Sequence, residues 1–146
     1  MRHFIRKNWE QLTDQQRQAL IIRLGLKCSE ELQIKSQPVI EFTTFADDRY
    51  AQYDGATNTI GLNSDYLSQA TLMYIGICHE TRHCWQWEHK DDPNDCAVLI
   101  KYNYEHYTTS YENNAYSVQF IEIDASNYGN QKYQELLRYY TEIGMI

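Results

Sequence analysis

This sequence of 146 residues has no long apolar run, no internal repeat and only two prolines. No apolar stretch approaches the roughly 20 residues that a membrane-spanning helix needs, so we expect no membrane partner. The amino-terminal segment MRHFIRKNWEQL has charges but no apolar run behind them, so we expect no secretory signal. The two prolines, Pro38 and Pro93, each stand near a predicted element boundary. We therefore expect a single domain spanning residues 1–146.

Positive charge is also scarce, since 13 Lys and Arg residues face 20 Asp and Glu residues and the net charge is −7. Nucleic acids and anionic membranes attract proteins through concentrated positive charge, so we expect neither as a main partner. There are four cysteines and no CxxC pair: Cys28, Cys78, Cys84 and Cys96. Scattered cysteines in a chain without a leader are typical of reduced thiols, which predicts a cytoplasmic protein.

The apolar pattern predicts an α+β fold, in which an N-terminal helix and a small sheet of about three strands precede a series of helices. The predicted strands cover residues 37–45, 50–53 and 59–62. The turn signal Asp54-Gly55 predicts that the last two strands form a hairpin. The predicted helices cover residues 8–27, 68–88, 96–107, 111–128 and 132–143.

His79, Glu80 and His83 form an HExxH motif on the second predicted helix. Two histidines four residues apart lie on one face of a helix, so their imidazoles can bind one metal ion. Glu80 is rotated by about a quarter turn from His79 and can reach a water on the open side of that ion. A carboxylate there can accept the proton of a water that attacks a carbonyl carbon. The motif therefore predicts one Zn²⁺ ion, with Glu80 as the general base.

A catalytic zinc ion needs a third protein ligand, for which the sequence offers two candidates. Glu122 stands among apolar residues of a predicted helix, where a carboxylate is rare unless it is paired or bound to a metal. His89 reproduces the ligand spacing of HExxHxxGxxH, but Gln86 replaces the glycine at which that chain turns. On a continuing helix, His89 lies almost three turns from His79, so we favour Glu122.

With these residues, the chain resembles zincin metallopeptidases of the gluzincin type, especially the small single-domain members. The resemblance covers roughly residues 58–128 and includes the strand at 58–63, the motif helix at 79–86 and the segment at 122–125. In this family two histidines and a downstream helical glutamate bind zinc, and the glutamate after the first histidine is the base. The resemblance assigns these roles to His79, His83, Glu122 and Glu80.

The resemblance also implies a zincin-like fold and a peptide or protein substrate. In such enzymes an extended peptide pairs with the edge of the strand before the motif helix, which falls here on Thr59, Ile60, Gly61 and Leu62. Larger gluzincins carry an acid four residues after the ligand glutamate, where this chain has Ser126. The nearest acid is Asp124, which we expect to pair with Arg82 or to orient a histidine N–H.

Tyrosines near Glu122 are candidates for stabilising an oxyanion, and the sequence does not choose among Tyr111, Tyr116 and Tyr128. The sequence thus predicts a zinc-dependent hydrolase, more narrowly a metallopeptidase. The alternative is a zinc-stabilised binding or regulatory module without turnover, in which a fourth side chain such as His89 closes the metal site. A third interpretation is a degenerate site that binds no metal.

Overall fold

A computed structural model describes residues 8–110, 112–117 and 119–142. The helices are α1 (Asp14–Glu31), α2 (Ala70–His89), α3 (Asp95–Glu105) and α4 (Phe120–Glu142). The strands are β1 (Val39–Thr43), β2 (Ala51–Asp54) and β3 (Thr59–Asn63). Short 3-10 turns cover Ser64–Tyr66 and Glu112–Asn114. This is the predicted α+β arrangement of an N-terminal helix, a three-stranded sheet and later helices.

Helix α1 begins after Thr13, which forms a capping box with Gln16. The Thr13 hydroxyl accepts from the backbone N–H of Gln16 at 3.2 Å, and the Gln16 side chain accepts from that of Thr13 at 2.9 Å. Residues 8–10 are also helical, so the predicted helix over residues 8–27 is interrupted at residues 11–13, and α1 begins after this break. A Cβ atom at Gly25 would lie 2.8 Å from the Ile40 side chain and 2.9 Å from that of Ile77. Because Gly25 has no side chain, α1 packs closely against β1 and α2.

The sheet is mixed, with strand order β1-β3-β2. Strand β3 pairs with β1 in parallel and with β2 in the antiparallel hairpin that the Asp54-Gly55 turn predicts. Because both sides of β3 are already paired, the prediction that an extended substrate pairs with its edge is wrong. This correction applies to Thr59, Ile60, Gly61 and Leu62. Among the described strands, the outer ones are β1 and β2.

Helix α2 lies at the centre of the molecule and packs against α1, the sheet and α4. Met73 and Ile77 are fully buried on it, together with Ile60 and Leu62 from β3. Close to Ile77, the Sγ atoms of Cys28 and Cys78 lie 3.4 Å apart, and both cysteines are free thiols. This central position determines that residues 79–83 lie inside the protein rather than on its surface.

The C-terminal region differs from its prediction in two ways. Residues 106–119 contain one 3-10 turn and no α-helix in their described part, because the side chain of Gln119 bonds the backbone of Thr108 in both directions, at 2.8 and 3.0 Å. Helix α4 then continues through Gly129, where two helices had been predicted. Gly129 does not end the helix because it packs against α2, where a Cβ atom would lie 3.0 Å from the Ile75 carbonyl oxygen.

None of the described helices combines the length and apolar character that crossing a membrane requires. The end of the last predicted helix, Ile143, lies outside the described residues.

Candidate metal centre

The HExxH residues lie on the inner part of α2, and all three side chains are buried. One potential ligand atom from each of His79, Glu80 and His83 falls within 4.8 Å of the other two. Nitrogen and carboxylate oxygen atoms at such separations could hold a metal ion. The coarser part of the sequence prediction, a metal-binding group at this motif, is therefore supported.

Glu122 brings a second carboxylate to the same place from helix α4. Its Oε2 lies 3.1 Å from Nε2 of His79, and its Oε1 lies 3.3 Å from Nε2 of His83. The two Nε2 atoms are themselves 3.0 Å apart. Ligand atoms in a tetrahedral zinc site with bonds of about 2.0–2.1 Å are separated by about 3.3 Å. The spacing of these donor atoms therefore fits a small tetrahedral cation.

Two triads can thus be drawn around the histidine pair, one with Glu80 and one with Glu122. The Glu122 oxygens contact both imidazoles directly, whereas the Glu80 group satisfies only the wider limit of 4.8 Å. On distance, Glu122 is the better third ligand. Glu80 then lies beside the site, close enough for its charge to act on His83.

The imidazoles and carboxylates of this cluster shift one another's pKa values. Burial raises the pKa of Glu122, but its hydrogen bonds with His79 and His83 outweigh that effect and hold the pKa well below its usual range. Burial lowers the pKa of His83, but hydrogen bonding to Glu122 and the charges of Glu80 and Glu122 raise it from 6.5 to about 9. The cluster consequently favours a positive charge between the imidazoles and the carboxylates, which a proton or a metal cation can supply.

Three residues that sequence reasoning missed contact the cluster. The Tyr107 hydroxyl donates to Oε1 of Glu122 at 2.8 Å, Gln86 Oε1 lies 2.8 Å from Nδ1 of His83, and Ser126 Oγ lies 3.4 Å from Nδ1 of His79. Spacing could have indicated two of them, since Gln86 follows a proposed ligand by three positions and Ser126 follows another by four. Tyr107 lies in the irregular segment before α4, so no helical spacing points to it.

The structure also brings Arg82 and Asp124 together. The Arg82 guanidinium donates through Nε to Oδ2 of Asp124 at 2.7 Å and through Nη2 to Oδ1 at 3.1 Å. Its carbon atom lies 4.0 Å from the centre of the Trp85 ring. Asp124 also accepts from Nε2 of Gln86 at 2.7 Å. The pair is therefore connected to His83 through Gln86.

His89 is not brought to the cluster. Its Nδ1 lies 2.5 Å from Asp92 Oδ2, and its ring lies 4.5 Å from that of Trp85. Helix α2 continues through this residue because Gln86, at the position of the motif's glycine, is a packed helical residue. The alternative in which His89 completes or closes the metal site therefore does not fit this geometry.

The candidate tyrosines fall in different places. Tyr116 packs edge-on against Tyr107 with ring centres 6.1 Å apart, and its pKa is raised by burial and by the charge of Glu122. The Tyr128 ring lies 5.8 Å from the Arg82 guanidinium, and its pKa is raised by burial and by Cys28. Tyr111 lies outside the described residues. Of the two described tyrosines, Tyr116 is the one whose pKa is raised by the charge of Glu122.

Comparisons of the chain with protein families, with curated proteins and with solved structures found no match.

Proposed function

We propose that this protein is a zinc-dependent hydrolase that cleaves peptide bonds, with Glu80 as its general base. The observation that carries the proposal is the convergence of three side chains, His79, His83 and Glu122. Their two Nε2 atoms lie 3.0 Å apart, and each Nε2 atom lies 3.1–3.3 Å from one of the two Glu122 oxygens. A fourth group, the Glu80 carboxylate, lies beside them. We further propose that the fold is zincin-like, because its helix, sheet, motif helix and ligand-bearing helix follow the expected order.

The donor set suits zinc as the metal. Two imidazole nitrogens and one carboxylate oxygen are ligands that Zn²⁺ accepts in catalytic sites, and three protein ligands leave a position for water. His79, His83 and Glu122 would hold the zinc ion, which would lower the pKa of a bound water and polarise a substrate carbonyl group. His79 and His83 contribute no net charge when neutral, so the Glu122 carboxylate offsets part of the cation's charge.

Glu80 is proposed to move the proton. Its side chain is buried beside the two imidazoles, where its oxygens can reach a water at the site. The carboxylate would accept the proton of the attacking water and deliver it to the nitrogen of the leaving amine. This transfer of the proton from the attacking water to the leaving amine requires one buried carboxylate that is not itself a metal ligand.

For the substrate, we propose that an extended peptide pairs with the outer strand β2. This strand packs against α2, since a Cβ atom at Gly76 would lie 3.2 Å from the ring of Tyr50 and 3.7 Å from Cβ of Ala51. An outer strand offers backbone N–H and C=O groups to an added chain. This replaces β3, whose backbone groups are already paired.

The decisive experiment compares Glu80→Gln with the unchanged protein in zinc content and in hydrolysis of a fluorogenic peptide library. We expect Glu80→Gln to retain one zinc ion per chain and to lose turnover by about 10²–10⁴-fold, because the amide cannot accept the proton. His79→Ala is the matched control, which should lose both zinc and turnover. A Glu80→Gln protein that hydrolyses peptides at the original rate would remove the base assignment.

X-ray absorption spectroscopy of the zinc-loaded protein separates the hydrolase from the non-catalytic module. Three protein ligands and one water oxygen support a hydrolase, whereas four protein ligands support a structural site.

A further inference from the structure

Gln86 is a fully buried polar residue whose side-chain amide has a single consistent orientation. Its Nε2 lies 3.0 Å from the carbonyl oxygen of Ile121 and 2.7 Å from Oδ2 of Asp124. A backbone carbonyl and an ionised carboxylate can only accept hydrogen bonds, so each takes one of the two amide hydrogens. The remaining atom, Oε1, must therefore face Nδ1 of His83, which is 2.8 Å away.

An amide oxygen can only accept, so the hydrogen in the contact with His83 must belong to the imidazole. We propose that Gln86 is a positioning residue that holds His83 in the Nδ1–H tautomer and thereby directs the Nε2 lone pair toward His79 and Glu122. The part of this inference that concerns metal binding rests on the proposed function above. The tautomer itself follows from the hydrogen-bond partners alone.

The pair of Arg82 and Asp124 keeps the amide from turning over. A reversed Gln86 amide would place its oxygen against both the Ile121 carbonyl and the Asp124 carboxylate, with no hydrogen between them. It would also leave the buried Gln86 oxygen without a donor, which is costly in a protein interior. Arg82 holds Asp124 in place through two hydrogen bonds and lies against the Trp85 ring. The sequence Arg82–Asp124–Gln86–His83 is thus a continuous chain of hydrogen bonds.

The orientation matters because a metal ligand must offer a lone pair. In the Nδ1–H tautomer the unprotonated nitrogen of a neutral His83 is Nε2, which lies 3.0 Å from Nε2 of His79 and 3.3 Å from Oε1 of Glu122. In the other tautomer this position carries a hydrogen that must be displaced before a cation can bind. Fixing the tautomer therefore prepares the site and contributes to its affinity for a divalent cation.

The test is the zinc affinity of Gln86→Met, measured by competition with a chromogenic chelator. Methionine has a similar size but no strong acceptor for the Nδ1–H group, so we expect zinc binding to weaken about 10–100-fold. The matched control is Thr81→Val, which removes another buried hydrogen bond on the same helix, from Thr81 Oγ1 to the Ile77 carbonyl, and which should change the affinity less than about twofold. Equal affinities for the two folded variants would overturn the inference.

Asp124→Asn provides a second variant in case Gln86→Met does not fold. It preserves shape but gives Gln86 a partner that can donate as well as accept, so the reversed amide is less unfavourable, with the Ile121 carbonyl as the one remaining acceptor that opposes it. We expect an intermediate loss of zinc affinity. Zinc affinity unchanged from the original protein would argue against the chain of hydrogen bonds.

A second readout is independent of both zinc and hydrolysis. The ¹⁵N chemical shifts of the His83 ring, recorded on the metal-free protein at a pH where the ring is neutral, report which nitrogen of the imidazole carries hydrogen. We expect Nδ1–H in the original protein and a mixture of tautomers in Gln86→Met. A ring protonated only at Nε2 in the original protein would refute the inference. If zinc fails to bind, the hydrolase proposal fails, and these shifts still decide the tautomer.

Discussion

Tyr107 shows how one residue outside the motif can support the cluster. Its hydroxyl donates to Oε1 of Glu122 at 2.8 Å, while the residue itself is exposed in the segment before α4. A hydrogen bond to an ionised carboxylate stabilises a protein more than one between neutral groups, although solvent exposure reduces the effect. Tyr107 thus connects an irregular segment to a buried ligand.

We predict that Tyr107→Phe lowers the free energy of unfolding of the metal-free protein by about 1–2 kcal/mol, because Glu122 loses a donor. Urea denaturation followed by circular dichroism measures the change. Tyr102→Phe is the control, since that side chain is mostly exposed on α3, and it should change stability by less than about 0.5 kcal/mol. If the two variants are equally stable, the hydrogen bond from Tyr107 does not contribute.

At this scale, the sequence could predict residues related by local spacing or by unusual surroundings. His79 and His83 meet because a helix places such residues on one face, and Glu122 was noticeable as a carboxylate among apolar neighbours. Gln86 and Tyr107 could not be assigned, because their roles depend on which atoms of other elements face them. The orientation of a side-chain amide is set by tertiary partners, which no sequence spacing specifies.

The contact between α2 and α4 is the element-level feature that assembles the cluster. The proposed ligands come from both helices, and Gly129 allows the helices to approach, since a Cβ atom there would lie 3.0 Å from the Ile75 carbonyl oxygen and 3.4 Å from the His79 backbone nitrogen. An added methyl group must push the helices apart close to the first ligand.

We predict that Gly129→Ala lowers the free energy of unfolding by about 1–2 kcal/mol, because overpacking outweighs the roughly 1 kcal/mol by which alanine favours a helix. Zinc affinity should fall as well, since the separation of His79 and Glu122 changes. Thermal unfolding and chelator competition measure the two effects.

Asn127→Ala, an exposed change on the same helix, should leave zinc affinity intact. A Gly129→Ala protein more stable than the original would show that the two helices can separate without cost.

The elements themselves were predicted unevenly. The hairpin and the motif helix followed from turn residues and apolar spacing, but the position of β3 between two partners depends on where β1 docks. The irregular segment before α4 could not be distinguished from a helix, because its tyrosine-rich pattern resembles one. In the folded protein, Gln119 pairs with the backbone of Thr108, a contact that sequence periodicity does not reveal.

For the whole molecule, stability should depend on pH through the buried cluster. The folded-state pKa of His83 is raised from 6.5 to about 9, so its contribution is fully present below pH 6.5 and is lost as pH rises through about 9. The lowered pKa of Glu122 gives a contribution that is present above its usual value of 4.5 and is lost as pH falls. Between pH 4.5 and pH 6.5, both contributions to stability are therefore present.

We predict that the Tm of the metal-free protein, measured in chelator by calorimetry, declines between pH 6.5 and 9. Saturating zinc should raise the Tm and abolish this decline, because the ion replaces the proton between the imidazoles. His106→Gln, a change at an exposed histidine, should leave the profile unchanged. A metal-free Tm that rises over this interval would contradict the prediction.

The proposed ligands His83 and Glu122 are separated in sequence by all of α3 and by residues 106–119. An ion shared by the two would therefore act as a reversible cross-link that closes this stretch into a loop. Metal binding would therefore reduce local opening throughout this loop, including at residues that do not contact the metal. Slower amide hydrogen exchange throughout the loop, rather than at the ligands alone, is the expected consequence of loading.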